Sequence, residues 1–330
     1  VNILVTGGAG YVGSVIVKRL SEDGHRITVV DNLVTGNKEA VPDNVHLEKI
    51  SFTCPLVGTI GEFSCLQVYK PDIVIHLAAR MSPTESVAKP LEYFRDNVAG
   101  TIELLNKMLE SGVKKIIFAS TAAIYNDGTN LSEYDAVNPL TPYGESKLMI
   151  EKILAWYHRA YDMKYVAFRF FPVSGGYAGL GPAKSYNKGL IPYVLEVPLG
   201  QSEFVPIYGN DYPTPDGTGI RDYVHVKDIA EAHRIAVKAI DDVSGVFNLG
   251  SGRGYSVSEV VDKATEVVGR HIPWEYQERR PGDPHILISS IDKARRELGW
   301  EPANPDIETI IADTWAWMQE HPHGYEKEEA

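Results

Sequence analysis

NILVTGGAGYVG, residues 2–13, passes from an apolar run into a glycine turn and then into the opening of an amphipathic segment. The run "NILV" suits a strand buried on both faces. Gly7, Gly10 and Gly13 follow at three-residue steps. Glycines in such a turn let backbone N–H groups approach a pyrophosphate, and the helix N-terminus behind them presents a partial positive charge. A glycine pattern alone is common. Its place between a strand and a helix is what points to a dinucleotide. Asp31 ends the next apolar run, "ITVVD" (27–31), 18 residues beyond Gly13. A carboxylate there can accept hydrogen bonds from the adenosine ribose and would repel a 2′-phosphate, which favours NAD over NADP. The alternative is a turn residue ahead of Asn32.

The same rhythm continues along the chain. "DIVIHLA" (72–78), "KKIIFAS" (114–120) and "KYVAFRFF" (164–171) read as further buried strands. Between them, Val87, Leu91, Phe94, Val98, Ile102, Leu105 and Leu109 recur at three- and four-residue steps, one face of a helix. Pro90 marks a break or a start in that helix and Gly112 a C-terminal cap. Strand–helix alternation of this kind predicts an α/β fold, a Rossmann-type doubly wound parallel sheet. After residue 172 Gly, Pro and Tyr become frequent, as in "GNDYPTPDGTG". The expected division is a dinucleotide domain over 1–172 and a smaller α/β substrate-binding domain over 173–330. The chain is expected to return to the first near 220–240. The alternation resumes in "VFNLGSG", "SVSEVVDKATEVVG" and "DIETIIADTWAWMQ", read as part of the second domain, and the tail "HPHGYEKEEA" is expected to fray.

With 330 residues the chain can bury a sizeable core without metal or disulfide. Its two cysteines, Cys54 and Cys65, show no zinc spacing and suit unpaired thiols in a reducing cytoplasm. No apolar run approaches the ~18–20 residues of a membrane span. The opening "VNILVTGG" lacks the basic start and cleavage site of a signal peptide. A formal charge of −12 without a basic stripe argues against a nucleic-acid partner. An anionic ligand would need a few local arginines.

In "TPYGESK" (141–147), Tyr143 stands four residues before Lys147. Leu148, Ile153, Leu154 and Tyr157 predict a helix over 143–160, so both side chains share a face of its first turn. A phenol near pKa ~10 is a poor base at neutral pH. A neighbouring ammonium or a cationic nicotinamide favours the phenolate and makes a usable general base. The bare spacing also occurs on surface helices; its place after "FASTAAIY" and a nucleotide turn gives it weight.

On these motifs the chain resembles the extended short-chain dehydrogenase/reductase family. That family pairs Tyr-x-x-x-Lys with a Ser or Thr at the end of the fourth strand. The match falls on Thr121, with Ser120 the less favoured neighbour; a plain strand-end hydroxyl is the alternative. "GNDYPTPDGTGIRDYVHVKDIA" (209–230), "ESVAKPLEY" (85–93) and "RRPGDP" (279–284) narrow the resemblance to its UDP-glucose 4-epimerase branch, over almost the whole chain. The resemblance implies an isomerase with tightly held NAD that inverts C4 between UDP-glucose and UDP-galactose; the alternatives are an epimerase of a UDP-N-acetylhexosamine or UDP-pentose, a net NAD-dependent oxidoreductase, and a non-catalytic NAD-binding protein. Tyr143 would be the base and acid, Lys147 would lower its pKa and hold NAD, and Thr121 would orient the substrate hydroxyl. It assigns Gly7, Gly10, Tyr11, Val12, Gly13, Asp31, Asn32, Leu77, Ala78, Ala79, Asn97 and Phe170 to NAD, together with Tyr143 and Lys147. It assigns Leu190, Tyr208, Arg221, Tyr223, Arg280 and Asp283 to the UDP end. Arginines there suit bidentate phosphate contacts. It also implies a homodimer through helices near 91–111 and 143–160.

Several positions depart from the branch. Dehydratases and decarboxylases of the wider family carry an acidic residue just after the strand-end hydroxyl. Ala122 and Ala123 stand there instead, which argues for oxidation and reduction at C4 alone. Pro172 replaces an asparagine, Gly189 another, Met81 a lysine, and Asn126 a glycine. The adenine-binding aspartate has no evident counterpart near 49–66. Leu287 occupies the position where tyrosine restricts the sugar and cysteine or serine admits N-acetyl groups.

Overall fold

The computed structural model describes residues 1–50, 64–183, 189–280 and 282–325. Cys54 and most of the 49–66 stretch lie outside the described residues. The central sheet has seven strands: β1 (Asn2–Thr6), β2 (Arg26–Asp31), β3 (His46–Lys49), β4 (Ile73–His76), β5 (Lys115–Thr121), β6 (Lys164–Phe170) and β7 (Gly245–Leu249). Their spatial order is β7-β6-β5-β4-β1-β2-β3. β1 pairs parallel with β2 and with β4, β2 with β3, and β4 with β5. The strand order reverses at β1 and β4, so the loops leaving those two strands open a ligand crevice at the carboxyl end of the sheet. Burial along β1, β2 and β5 is nearly continuous, as both faces of such a sheet are covered.

All five strands expected from apolar runs are present. β3 is the one the sequence conceals. Its residues, "HLEK", are half-buried or exposed at the sheet edge, where charge is tolerated because one side faces water. β7 corrects a second reading: "VFNLGSG" was expected in the second domain, yet its strand joins the end of the first sheet.

The apolar stripe over 87–109 forms helix, but not one helix and not with that buried face. Pro83–Ala88, Pro90–Tyr93 and Gly100–Glu110 are α-helical, and Phe94–Ala99 is a π-helical stretch. The wider π-turn shifts the phase of everything before it. The buried face is Tyr93, Asn97, Thr101, Leu104, Leu105 and Met108, while Val87 and Leu91 are 63% and 76% exposed. Gly112 follows Ser111, the C-cap, at φ +74°, and its N–H donates to Leu109 O at 3.1 Å.

The chain divides into two compact units. One holds Val1–Ile124, Pro139–Arg169 and Ala230–Phe247, the other Tyr125–Asn138, Phe170–Ile229 and Asn248–Ala330. The expected boundary at 172/173 is therefore an exit after Arg169, and the expected return is Ala230–Phe247. The excursion Tyr125–Asn138 had no sequence signal. It contributes the short polar strand Gly128–Leu131, which pairs with Ile286–Ser289 far along the chain. That strand belongs to a four-stranded sheet with Ile220–Asp222 and Gly254–Ser256. The helices Leu190–Glu196, Val257–Val268 and Ile307–Glu320 close the second core around Ile191, Val194, Val260 and Ile310. The tail does not fray through Tyr325. Its ring lies 4.9 Å from Trp317 and its hydroxyl bonds Gly181 O; residues beyond it are outside the described range.

Candidate active site

The glycine turn is built by close approach. Gly7 leaves β1 at φ +72°, and a Cβ there would stand 2.7 Å from Ala78 N, at the exit of β4. A Cβ on Gly13 would stand 2.2 Å from Gly7 O. The first turn of helix Tyr11–Glu22 therefore packs directly on the loop, which any other residue would push open. Gly10 is its N-cap, with no side-chain cap and no acidic residue in the first turn. These uncapped N–H groups favour an anion. Tyr11 is buried and Val12 half-buried in that turn.

Asp31 is buried and its carboxylate accepts from Ala9 N at 3.0 Å and from Leu33 N at 2.9 Å. Burial is the largest influence on it and pushes its pKa up, against the pull of those backbone donors. Each oxygen keeps a lone pair for a ribose hydroxyl. Gly36, which the sequence did not single out, leaves the space beside it: a Cβ there would lie 2.8 Å from Asp31 Oδ1. Asn32 is exposed and its Oδ1 accepts from Val34 N, an Asx turn.

A buried polar relay fixes the crevice wall. Thr101 Oγ1 donates to Asn97 O, so it must accept from His76 Nε2–H at 2.9 Å, and His76 Nδ1 accepts from Thr6 Oγ1 at 2.7 Å. The imidazole is neutral, its pKa pushed down to about 3 by burial and then by the Lys147 charge. Asn97 takes Arg80 N at 2.8 Å and gives Nδ2–H to Arg80 O and Ser146 Oγ. It thereby ties the half-buried Leu77–Ala79 loop to the helix that carries Tyr143.

That helix, Pro142–Tyr161, starts with Thr141 Oγ1 capping Gly144 N and Pro142 at its first position. Gly144 was not foreseen as important. A Cβ there would lie 2.4 Å from Ala123 O, so glycine lets the helix seat against the turn Ala122–Ile124. Tyr143 is half-buried beside it, edge-on to Tyr93 at 6.5 Å. Burial pushes its phenol up, and a hydrogen bond with Thr121 pulls it down. Ser120 Oγ donates to the buried Glu151 at 2.5 Å.

Lys147 is buried, with Nζ donating to Ala119 O at 2.8 Å and lying 4.7 Å from the Phe118 ring centroid. Burial pushes its pKa down to about 7, against the pull of Glu151.

In the second unit, Arg221 is half-buried and its Nη1 donates to Ile220 O at 2.9 Å. Arg280 is not an idle surface charge: its guanidinium stacks 3.6 Å over the Tyr208 ring. Asp283 is exposed, and Leu190 is half-buried at the start of its helix. Tyr223 was expected at the UDP end. It is 4% exposed and belongs to the apolar core with Ile191 and Val205, and burial pushes its phenol up to about 12. Leu287 is buried on Ile286–Ser289, directly across the register from Arg221. Asp222 joins these strands, accepting from Ser251 N, Gly252 N and Ser289 N. Phe170 ends β6, half-buried. Among the described residues no cluster of His, Cys, Asp and Glu could hold a metal ion, and no helix is long and apolar enough to cross a membrane.

The model of the NAD dependent epimerase/dehydratase family matches residues 3–250. A UDP-glucose 4-epimerase of Halalkalibacterium halodurans is 46% identical over 99% of this chain and 98% of its own. A crystal structure of a UDP-glucose 4-epimerase superposes with TM-score 0.92 at 41% identity, covering 99% of this chain and 100% of that one. The Bifidobacterium longum UDP-glucose 4-epimerase, solved with NAD+ and UDP, gives 0.91 at 35% identity, covering 98% and 100%.

Proposed function

The chain belongs to the NAD dependent epimerase/dehydratase family, and on that premise we propose that it is a UDP-glucose 4-epimerase, an isomerase that interconverts UDP-glucose and UDP-galactose. The observation that carries this reading is one strand end set against one helix: Thr121 ends β5 with its Oγ1 accepting from Ala123 N, Lys147 on the Tyr143 helix donates Nζ to Ala119 O of that strand, and the positions after Thr121 are Ala122 and Ala123. Neither alanine can move a proton, so only oxidation and reduction at C4 are supported.

NAD fits the residues present. The Gly7–Gly13 turn and the uncapped helix end would hold its pyrophosphate, and Asp31 the adenosine ribose. When bound, NAD takes up and returns the C4 hydride, and its oxidised ring adds a positive charge that favours the Tyr143 phenolate. Tyr143 accepts the 4-hydroxyl proton as the hydride leaves and returns it after the 4-keto sugar has presented its other face. Thr121 orients that hydroxyl. Lys147 donates toward the nicotinamide ribose and, when charged, assists the phenolate. Arg221 and Arg280 neutralise the diphosphate, Tyr208 packs with the uracil, Leu190 adds apolar contact and Asp283 takes the uridine ribose.

Arg221→Met should raise KM for the UDP-sugar by about 10–100-fold, the worth of one charge-assisted contact, and leave kcat within a few-fold. An unchanged KM would remove Arg221 from the site. The test of the function itself is incubation of purified protein with UDP-galactose, without added NAD. UDP-glucose is the expected product; no conversion, with no NAD released on denaturation, would contradict the reading. The second reading is an epimerase of another sugar nucleotide, a UDP-N-acetylhexosamine or a UDP-pentose; Leu287, intermediate between the restrictive tyrosine and the permissive cysteine or serine, favours neither reading. UDP-N-acetylgalactosamine forms the other arm of that assay.

We also infer a homodimer. Leu91, Met149 and Trp156 are exposed on the helices expected to pair, Trp156 by 65%, and exposed apolar side chains suit an interface. Light scattering should give a dimer for the parent and a monomer for Leu91→Glu/Trp156→Glu. A monomeric parent would refute it. We place the reaction in the cytoplasm, on the compositional expectation above.

A further inference from the structure

Arg221 and Arg280 lie on separate stretches of the second unit, and one buried ring touches the neighbours of both. Tyr212 is 6% exposed. Its ring carries the Arg279 guanidinium on its face, 4.1 Å from the centroid, and meets the His285 imidazole edge to face at 5.9 Å. Each flank is pinned from outside. Arg279 Nε donates to Asp211 Oδ1 at 2.5 Å and its Nη2 donates to Asp211 O. His285 Nδ1 pairs with Asp127, whose Oδ1 accepts from Ile286 N at 2.8 Å.

From these flanks the contacts lead to the UDP end. His285 O accepts from Ile220 N at 2.8 Å and from Arg221 Nη1 at 3.5 Å. The carbonyl that steers the Arg221 guanidinium thus belongs to the residue packed on Tyr212. Arg280 follows Arg279 and stacks 3.6 Å over Tyr208. Gly209, next to Tyr208, has φ +90°, and a Cβ there would stand 2.6 Å from Tyr212 Cε2 and 2.7 Å from Arg279 Cγ. The turn behind the ring closes on itself, with Tyr212 N donating to Gly217 O and Thr214 N to Tyr212 O.

We propose that Tyr212 is a positioning residue for UDP binding: wedged between Arg279 and His285, its ring sets the separation of Arg221 and Arg280 and so fits the site to a diphosphate. The proposal rests on the reading of those two arginines as the diphosphate site. Two guanidinium groups that must meet one diphosphate together need a fixed spacing as well as charge, and groups already held in place lose less freedom on binding. Arg279 and His285 already face the carboxylates of Asp211 and Asp127, so what they offer the site is their position.

The test is calorimetric binding of UDP and of UMP to the protein as purified. Tyr212→Leu should weaken UDP by about tenfold or more, the worth of one charge-assisted contact. The advantage of UDP over UMP should shrink with it, because only the diphosphate needs both arginines. Tyr212→Phe keeps the ring and should bind UDP within about threefold of the parent. Equal weakening of UDP and UMP would mark a general disturbance of the unit and overturn the proposal. So would a UDP affinity in Tyr212→Leu equal to the parent's, or one in Tyr212→Phe as weak as in Tyr212→Leu. Should Tyr212→Leu not fold, Arg279→Lys decides. It keeps the charge at a partly exposed position and gives up the planar stack. It should also shrink the advantage of UDP, and parent-like affinities would overturn the proposal. Arg221→Met separates this inference from the reading beneath it. If that variant binds UDP as the parent does, the diphosphate site is overturned, and this proposal with it. If Arg221→Met weakens UDP and Tyr212→Leu does not, the role of Tyr212 alone is overturned.

Discussion

Tyr143→Phe should lower kcat by about a thousandfold or more, the upper part of the range for general acid–base catalysis, with kcat/KM falling equally. The ring would stay where it is, against Tyr93 and half-buried, so folding and NAD content should match the parent. What is lost is the phenol oxygen that would carry the substrate proton. An equal loss in both constants marks an interaction made only in the transition state. Turnover within about tenfold of the parent would remove Tyr143 as the base and leave Lys147, with its pKa near 7, as the group to examine.

Gly13→Ala should strip the protein of its cofactor. The added methyl would stand 2.2 Å from Gly7 O and 2.9 Å from Gly8 Cα, both backbone atoms that cannot turn aside. The helix must lift off the turn, and overpacking of this kind costs about 1–3 kcal/mol. The larger consequence is geometric. The helix N-terminus no longer faces the place of the pyrophosphate, and Gly7, already 2.7 Å in Cβ projection from Ala78 N, has no second position to adopt. NAD released on denaturation should fall from stoichiometric in the parent to undetectable, and thermal stability should drop. Full NAD content in Gly13→Ala would show that the turn is not the pyrophosphate site.

The parts of this fold that were legible in the sequence are those where a single local rule decides. Apolar runs give β1, β2, β4, β5 and β6 because both sheet faces are covered, and the spacing of Leu148, Ile153, Leu154 and Tyr157 gives the helix that carries Tyr143. The glycine turn was legible because its spacing follows from the geometry of one loop. Other features depend on distant partners. β3 is polar since it sits at an edge, and "GTNL" is a strand only because Ile286–Ser289 lies beside it. The π-helical stretch at Phe94–Ala99 rotates the buried face by an amount that no three-four periodicity contains, which left Val87 and Leu91 at the surface. Gly144 and Gly36 matter through what would collide with a Cβ, a fact of tertiary packing. Glu151 looked like an ordinary helix charge until Ser120 and Arg169 were found to enclose it. Tyr223 packs with the apolar core of the second unit, a contact that its place in the motif does not reveal.

The central claim is that C4 is inverted by removal and return of the same hydrogen. UDP-glucose carrying deuterium at C4 tests this directly, in water and without added NAD. The account predicts UDP-galactose that keeps its deuterium at C4, because the hydride never leaves the site and the solvent-exchangeable proton belongs only to Tyr143 and the hydroxyl. Product with hydrogen in place of deuterium, or no product at all, would contradict it.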